Sequence, residues 1–152
     1  YFNNAQEIDL LFSYAHSWRG SHTQDFYKLN NSQIRVILPD YNESHILNEL
    51  SIRFNMTQEN LKENIKDAER FFINLSNSTN NNIKIYMLKI PILFTYYRFG
   101  KIGIITTYSH LRQRKAPIPI FVFEKNGFLF DLFANEYNNL IQDSNLTREL
   151  EF

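Results

Sequence analysis

The segment HSWRGSH, from His16 to His22, contains residue types that bind nucleotides. Arg19 can form a forked pair of hydrogen bonds with a phosphate, and Trp18, the only tryptophan of the chain, can stack on a base. We predict that this segment is a polar loop between a strand and a helix that begins near Thr23. Ligands bind at such strand ends in open α/β sheets, and helix N-termini attract phosphate. The alternative is a surface loop whose tryptophan fills the edge of the core.

A second candidate binding segment, YSHLRQRK, lies at 108–115. It combines Tyr108 and His110 with the cations of Arg112 and Arg114. Basic residues beside aromatic ones supply charge for a phosphate and a flat face for a base, so we predict a nucleotide contact here as well. The alternative is a solvated hairpin loop, in which lysine and arginine are common.

A third candidate is the run Tyr96-Tyr97-Arg98, which we place on a strand. On a strand, Tyr96 and Arg98 share one face and Tyr97 points to the other. Packing inside the sheet is the alternative, since aromatic residues on strands usually pack. The complete set of predicted ligand-binding residues is Trp18, Arg19, His22, Tyr97, Arg98, Tyr108, His110, Arg112 and Arg114.

Charge is unevenly distributed along the chain, although lysine and arginine balance aspartate and glutamate at 16 each. All the acidic residues lie outside the stretch from Arg70 to Phe123, which contains eight lysine and arginine residues. Such segregation can produce a positive surface that attracts an anionic ligand. The alternative is that neighbouring acidic helices fold back and neutralise the segment.

The composition argues against several chemistries. There is no cysteine, which excludes disulfides and thiolate chemistry, and the histidines lack the clustering that a zinc site needs. Four glycines leave no room for phosphate-cradling glycine loops, and no G-x-S-x-G motif is present. No apolar run is long enough to span a membrane. We therefore expect no enzyme, no cofactor and no metal; the enzymatic alternative is a phosphodiesterase or ring-opening nuclease that uses His22 or His110 as acid–base.

Hydrophobic periodicity supplies the elements that must position these candidates. Apolar or alternating runs predict strands, steps of three and four predict helices, and the polar tail beyond Gln142 is expected to be frayed. The predicted strands are 8–14, 33–38, 83–90, 92–99, 102–108 and 118–123, and the predicted helices are 23–29, 42–55, a segment that follows Thr57, and 128–141.

This order predicts an α/β fold in which helices pack on a single mixed parallel and antiparallel sheet. A parallel pair joined by a crossover comes first, and antiparallel strands follow. We expect one domain over 1–152. Because the chain begins at Tyr1 and not at methionine, we interpret it as a piece of a longer protein.

The element order, the second strand IRVILPD and Arg53 in the long helical segment resemble one half of the phospholipase D superfamily, over about Glu7 to Ile141. The catalytic motif of that superfamily is His-x-Lys, four residues and Asp, and it is absent here. The residues two places after the four histidines are Trp18, Gln24, Leu47 and Arg112. The resemblance implies a copy that has lost catalysis and retains anion binding, as in bacterial sensor domains.

The chain also resembles the cytosolic sensor parts of membrane-anchored accessory effectors of type III CRISPR antiviral defence. That resemblance implies a domain at the cytosolic face of the inner membrane, attached through a segment absent from this chain, that binds cyclic tetra-adenylate. We therefore expect a phosphate-bearing cyclic oligonucleotide ligand, a homo-oligomer and no long nucleic acid among the partners. An oligomerisation module built from the many aromatic residues is the third alternative. The expectation depends on Arg19, Arg112 and Arg114 converging on one pocket.

Overall fold

The computed structural model describes residues 1–2, 5–108 and 118–152. In chain order the elements are β1 Glu7–Leu11, α1 His16–Lys28, β2 Gln33–Pro39, α2 Ser44–Phe54, α3 Gln58–Ser78, β3 Asn82–Leu88, β4 Phe94–Phe99, β5 Ile102–Thr107, β6 Ile120–Glu124, α4 Phe128–Gln142 and β7 Thr147–Glu149.

The seven strands form one sheet in the order β6-β5-β4-β1-β2-β3-β7. The strands β1, β2 and β3 are parallel to one another, and β4 joins β1 in the antiparallel direction. The strands β4, β5 and β6 continue as antiparallel neighbours, and β7 pairs antiparallel with β3 at the opposite edge. The predicted α/β class with a single mixed sheet is therefore confirmed.

The two faces of the sheet bury separate apolar clusters because successive strand residues point to opposite sides. Helices α1, α2 and α3 cover one face, where Val36 and Ile85 meet the α3 stripe of Ile65 and Phe72. Helix α4 covers the other face, where Tyr137 packs with Ile37, Tyr86 and Tyr96. The apolar stripe of α3 is fully buried and consists of Leu61, Ile65, Ala68, Phe72 and Leu75. The Thr57 hydroxyl caps the helix by accepting from the Asn60 amide.

The predicted loop at 16–22 is wrong, since helix α1 begins at His16 and not near Thr23. Serine and glycine in this segment are weak helix formers, which favoured a loop. The helix is stabilised instead by packing: Trp18, His22 and Phe26 recur every four residues, and their rings contact one another or share Phe2 as a neighbour. That aromatic stripe was the signal available in the sequence.

The predicted frayed tail is also wrong. Residues Thr147–Glu149 form strand β7, and the Leu150 amide donates to the carbonyl of Ile85 at 2.8 Å. The Arg148 guanidinium forms an ion pair with the buried carboxylate of Asp40 at 2.6 Å. The polar tail is therefore ordered by contacts with residues far away in the chain, which a local pattern does not reveal.

Candidate functional site

Arg19, the first predicted phosphate ligand, is buried in the core. Arg19 is 6% exposed, and its guanidinium carbon lies 5.4 Å from the centre of the Phe71 ring. Its Nε donates to the carbonyl oxygen of Tyr14 at 2.8 Å. Burial lowers the pKa of Arg19, and the charge of Asp67 partly opposes that shift. The side chain is thus used to join α1 to α3 and does not face a ligand.

Three of the predicted ligand-binding residues, Trp18, His22 and Tyr97, lie close together in the structure. The Trp18 ring lies 4.5 Å from that of Tyr97 and 5.2 Å from that of His22, measured between ring centroids. The His22 Nδ1 lies 2.9 Å from the Asp25 carboxylate. Burial, followed by the neighbouring Tyr108, raises the pKa of Tyr97. These side chains line part of a cleft of about 760 Å³ between α1 and strands β4, β5 and β6.

Arg98 lies on the opposite face of β4 from Tyr97, as the strand alternation predicts. Its guanidinium forms ion pairs with Asp9, at 3.0 Å, and with Glu7, and it packs over the Phe130 ring of α4. Its side chain is 14% exposed. Arg98 therefore neutralises carboxylates beneath α4 and is not presented to the cleft.

The Asp9 carboxylate is the centre of a buried charge row that sequence reasoning missed. In the register of the sheet, Asp9 lies between Arg35 on β2 and Arg98 on β4. Asp9 is 2% exposed and accepts hydrogen bonds from both guanidiniums at 2.6–3.0 Å. Burial lowers the pKa of Arg35, but the hydrogen bond to Asp9 raises it, and the net effect is a raised pKa. Only the strand register brings these residues together, so no local spacing indicates the row.

Tyr108 lies beside the cleft rather than in it. Its hydroxyl forms hydrogen bonds with Ser13 at 3.1 Å and with Thr95 at 3.3 Å, and Thr95 itself lines the cleft. The Arg53 guanidinium lies 4.8 Å from the centre of the Tyr108 ring. Tyr108 is therefore fixed by hydroxyl and cation–π contacts. The other predicted residues of its segment, His110, Arg112 and Arg114, lie outside the described residues.

The positive charge of the acid-free segment is partly neutralised in the fold. Arg70 pairs with Asp67, Lys84 pairs with Glu149 at 2.9 Å, and Arg98 pairs with Asp9 and Glu7. Each of these carboxylates belongs to residues outside the segment. These three cations are therefore neutralised by carboxylates and do not form an open positive surface.

Two further features concern the described parts of the chain. Across them, no group of three or more histidine, aspartate or glutamate side chains is arranged to hold a metal ion. Among their helices, none combines the length and the apolar character needed to cross a bilayer.

Comparison with known proteins gives a likeness of fold. No family model and no curated protein matches the chain. The structure is similar to that of TrmBL2, an archaeal chromatin protein with a novel mode of DNA binding. The TM-score is 0.50 at 13% sequence identity, and the match covers 93% of this chain and 45% of the TrmBL2 chain. At that identity the likeness concerns the fold, and this chain spans less than half of its neighbour.

Two expectations are corrected by this comparison. The neighbour is a DNA-binding protein, so the expected cyclic-oligonucleotide sensor and the expected absence of long nucleic acid among the partners are wrong. The buried Arg19 and the paired Arg98 supply a physical reason, because neither guanidinium is open to a phosphate of a small ligand. The resemblances to phospholipase D and to CRISPR effectors, and the expectation that the chain is not an enzyme, stay predictions.

Proposed function

We propose that this protein functions in DNA binding, with duplex DNA as its nucleic-acid partner. The observation that supports the proposal is the fold shared with TrmBL2 over 93% of this chain. Affinity for DNA comes mainly from cations that neutralise backbone phosphates. The surface that contacts DNA must therefore contain lysine or arginine side chains that no carboxylate of the protein already neutralises.

Lys101 and Lys125 meet that requirement at one end of the sheet. Lys101 lies in the turn between β4 and β5, Lys125 follows β6, and the Lys125 amide donates to the Lys101 carbonyl at 2.8 Å. Both residues are exposed, and both line a shallow depression that also includes Ile102, Glu124 and Asn126. Within the described ranges neither ammonium group forms an ion pair. Both can therefore contact phosphates.

The test is the binding of a fluorescently labelled 30-base-pair duplex, followed by anisotropy at salt concentrations from 50 to 200 mM. Each lysine–phosphate contact contributes about −0.9 to the slope of log K against log salt. Lys101→Gln with Lys125→Gln is expected to make the slope less negative by about 1.8. The matched control, Lys28→Gln with Lys62→Gln, removes the same charge from α1 and α3 and is expected to leave the slope nearly unchanged.

The proposal fails if the unaltered protein shows no saturable binding at 50 mM salt. Equal loss of slope in both double variants would show that binding reflects net charge and not the end of the sheet. A linear duplex and a cyclic oligonucleotide of the same total charge can be compared in the same assay. Location at the cytosolic face of a membrane is not needed for this function and stays a prediction.

A further inference from the structure

One half of the sheet has an apolar face that α1 covers only in part. Helix α4 packs on the other side of β4, β5 and β6, through Phe133 and Tyr137. On the α1 side, Ile104, Ile120 and Val122 point away from α4 and line the cleft. Val122 is 53% exposed. Exposed apolar groups gathered in one concave region commonly mark a binding site.

The shape of the cleft suits a small molecule. Its volume of about 760 Å³ falls within the range of about 300–1,000 Å³ that is usual for small-molecule sites. Tyr97, Ile104 and Val122 are adjacent on the same face of β4, β5 and β6 and line the cleft together with Ile120. The Trp18 ring of α1 lies beside them, 4.5 Å from that of Tyr97 between ring centroids. A flat ring lying on this surface would contact the branched aliphatic groups and the two aromatic rings.

The charge of the lining indicates that the ligand is neutral. Among the described lining residues, the histidine, aspartate, glutamate, lysine and arginine side chains are limited to His22 and Asp25, and these two pair with each other at 2.9 Å. An anionic ligand would meet no unpaired cationic side chain among these described residues, and burying a charge without a partner is costly. The Thr95 hydroxyl, which donates to Tyr108, and the Thr106 hydroxyl supply the few polar contacts.

We propose that this cleft binds an uncharged, mainly apolar small molecule that contains a flat ring. The site is separate from the lysine pair proposed to contact DNA, since Lys101 and Lys125 do not line it. Ligand binding and DNA binding can therefore succeed or fail independently.

The chain contains its own reporter, because Trp18 is its only tryptophan and lines the cleft. The probe is N-phenyl-1-naphthylamine, a neutral molecule with flat rings whose excitation overlaps tryptophan emission. Titration into the protein is expected to give saturable energy transfer from Trp18, with a dissociation constant in the micromolar range. The anionic analogue 1-anilinonaphthalene-8-sulfonate is expected to bind at least tenfold more weakly.

Two neighbouring residues of β6 give a matched pair of variants. Val122→Lys places a charge in the cleft and is expected to weaken binding at least tenfold. Phe121 is 47% exposed but belongs to the opposite face of the strand and does not line the cleft. Phe121→Lys adds the same charge one residue away and is expected to change binding less than twofold. Thermal melts of both variants confirm that each is folded.

Several results would overturn the proposal. Lack of saturation by the neutral probe, or equal weakening in both variants, would mean that the probe adsorbs to an exposed strand and not to the cleft. Sedimentation measures whether the protein self-associates. If the unaltered protein self-associates and Val122→Lys alone makes it monomeric, a second copy and not a small molecule occupies the cleft.

Discussion

Asp9→Asn tests the central charge row of the sheet. The substitution keeps the shape of the side chain but removes the charge that two guanidiniums share. Breaking a buried ion pair by removing one partner costs about 3–5 kcal/mol. The lower end is expected here, about 3 kcal/mol, because Arg98 keeps its contact with Glu7 and Arg35 keeps its hydrogen bond to Asn138 at 3.0 Å.

The assay is urea unfolding, together with a thermal melt followed by circular dichroism. For a domain of this size each kcal/mol shifts Tm by about 2–4 °C, so Asp9→Asn is expected to lower Tm by about 6–12 °C. The control is Glu63→Gln, which breaks an exposed ion pair with Lys66 on α3. Exposed pairs contribute about 0–1 kcal/mol. If both substitutions lower the free energy of unfolding by the same small amount, the reasoning about the buried row is refuted.

Two further predictions use contacts elsewhere in the fold. A Cβ built at Gly103 overlaps the Phe123 ring, so Gly103→Ala is expected to lower the free energy of unfolding in urea by about 1–3 kcal/mol. Gly20 lies within α1 with open space around it, so Gly20→Ala is expected to raise that free energy by up to about 1 kcal/mol. A change of the same sign in both variants would contradict the packing argument. Burial raises the pKa of Asp40, but hydrogen bonds from Arg148 and from the backbone outweigh it and hold that pKa below its usual value. The associated stability is complete above the unfolded aspartate pKa of about 3.9 and is lost as pH falls through the lower folded value. Unfolding measured between pH 6 and 2 is expected to show a shallower acid loss in Arg148→Gln, and identical pH profiles would count against the pairing.

The sequence predicted the elements whose signal is local. The repeated apolar steps of α3, from Leu61 to Leu75, indicate its buried face, and the helix was expected to follow Thr57, as it does. Strand alternation placed Tyr97 and Arg98 on opposite faces, and the element order gave the mixed sheet. The helix and the strand alternation depend on residues close together in the chain, and the mixed sheet depends on the order of the elements.

The predicted set of site residues was affected most by one local error, the loop predicted where α1 begins. In a loop, Trp18 and Arg19 could both face a ligand, but on a helix neighbouring residues diverge by about 100°. Trp18 therefore points to the cleft while Arg19 packs against Phe71 of α3. The pairing of Arg98 with Asp9 and the strand β7 depend on contacts between distant residues, and no periodicity within the chain contains that information.

The position of β7 has a practical consequence for dividing the polypeptide. Its backbone occupies the outer margin of β3, which would otherwise offer a row of amides and carbonyls to any extended chain nearby. A shortened version ending at Gln142, where the last helix stops, would appear complete from helix boundaries alone. It would nevertheless be prone to edge-to-edge aggregation, so an expression boundary should retain at least Leu150, whose amide closes the ladder.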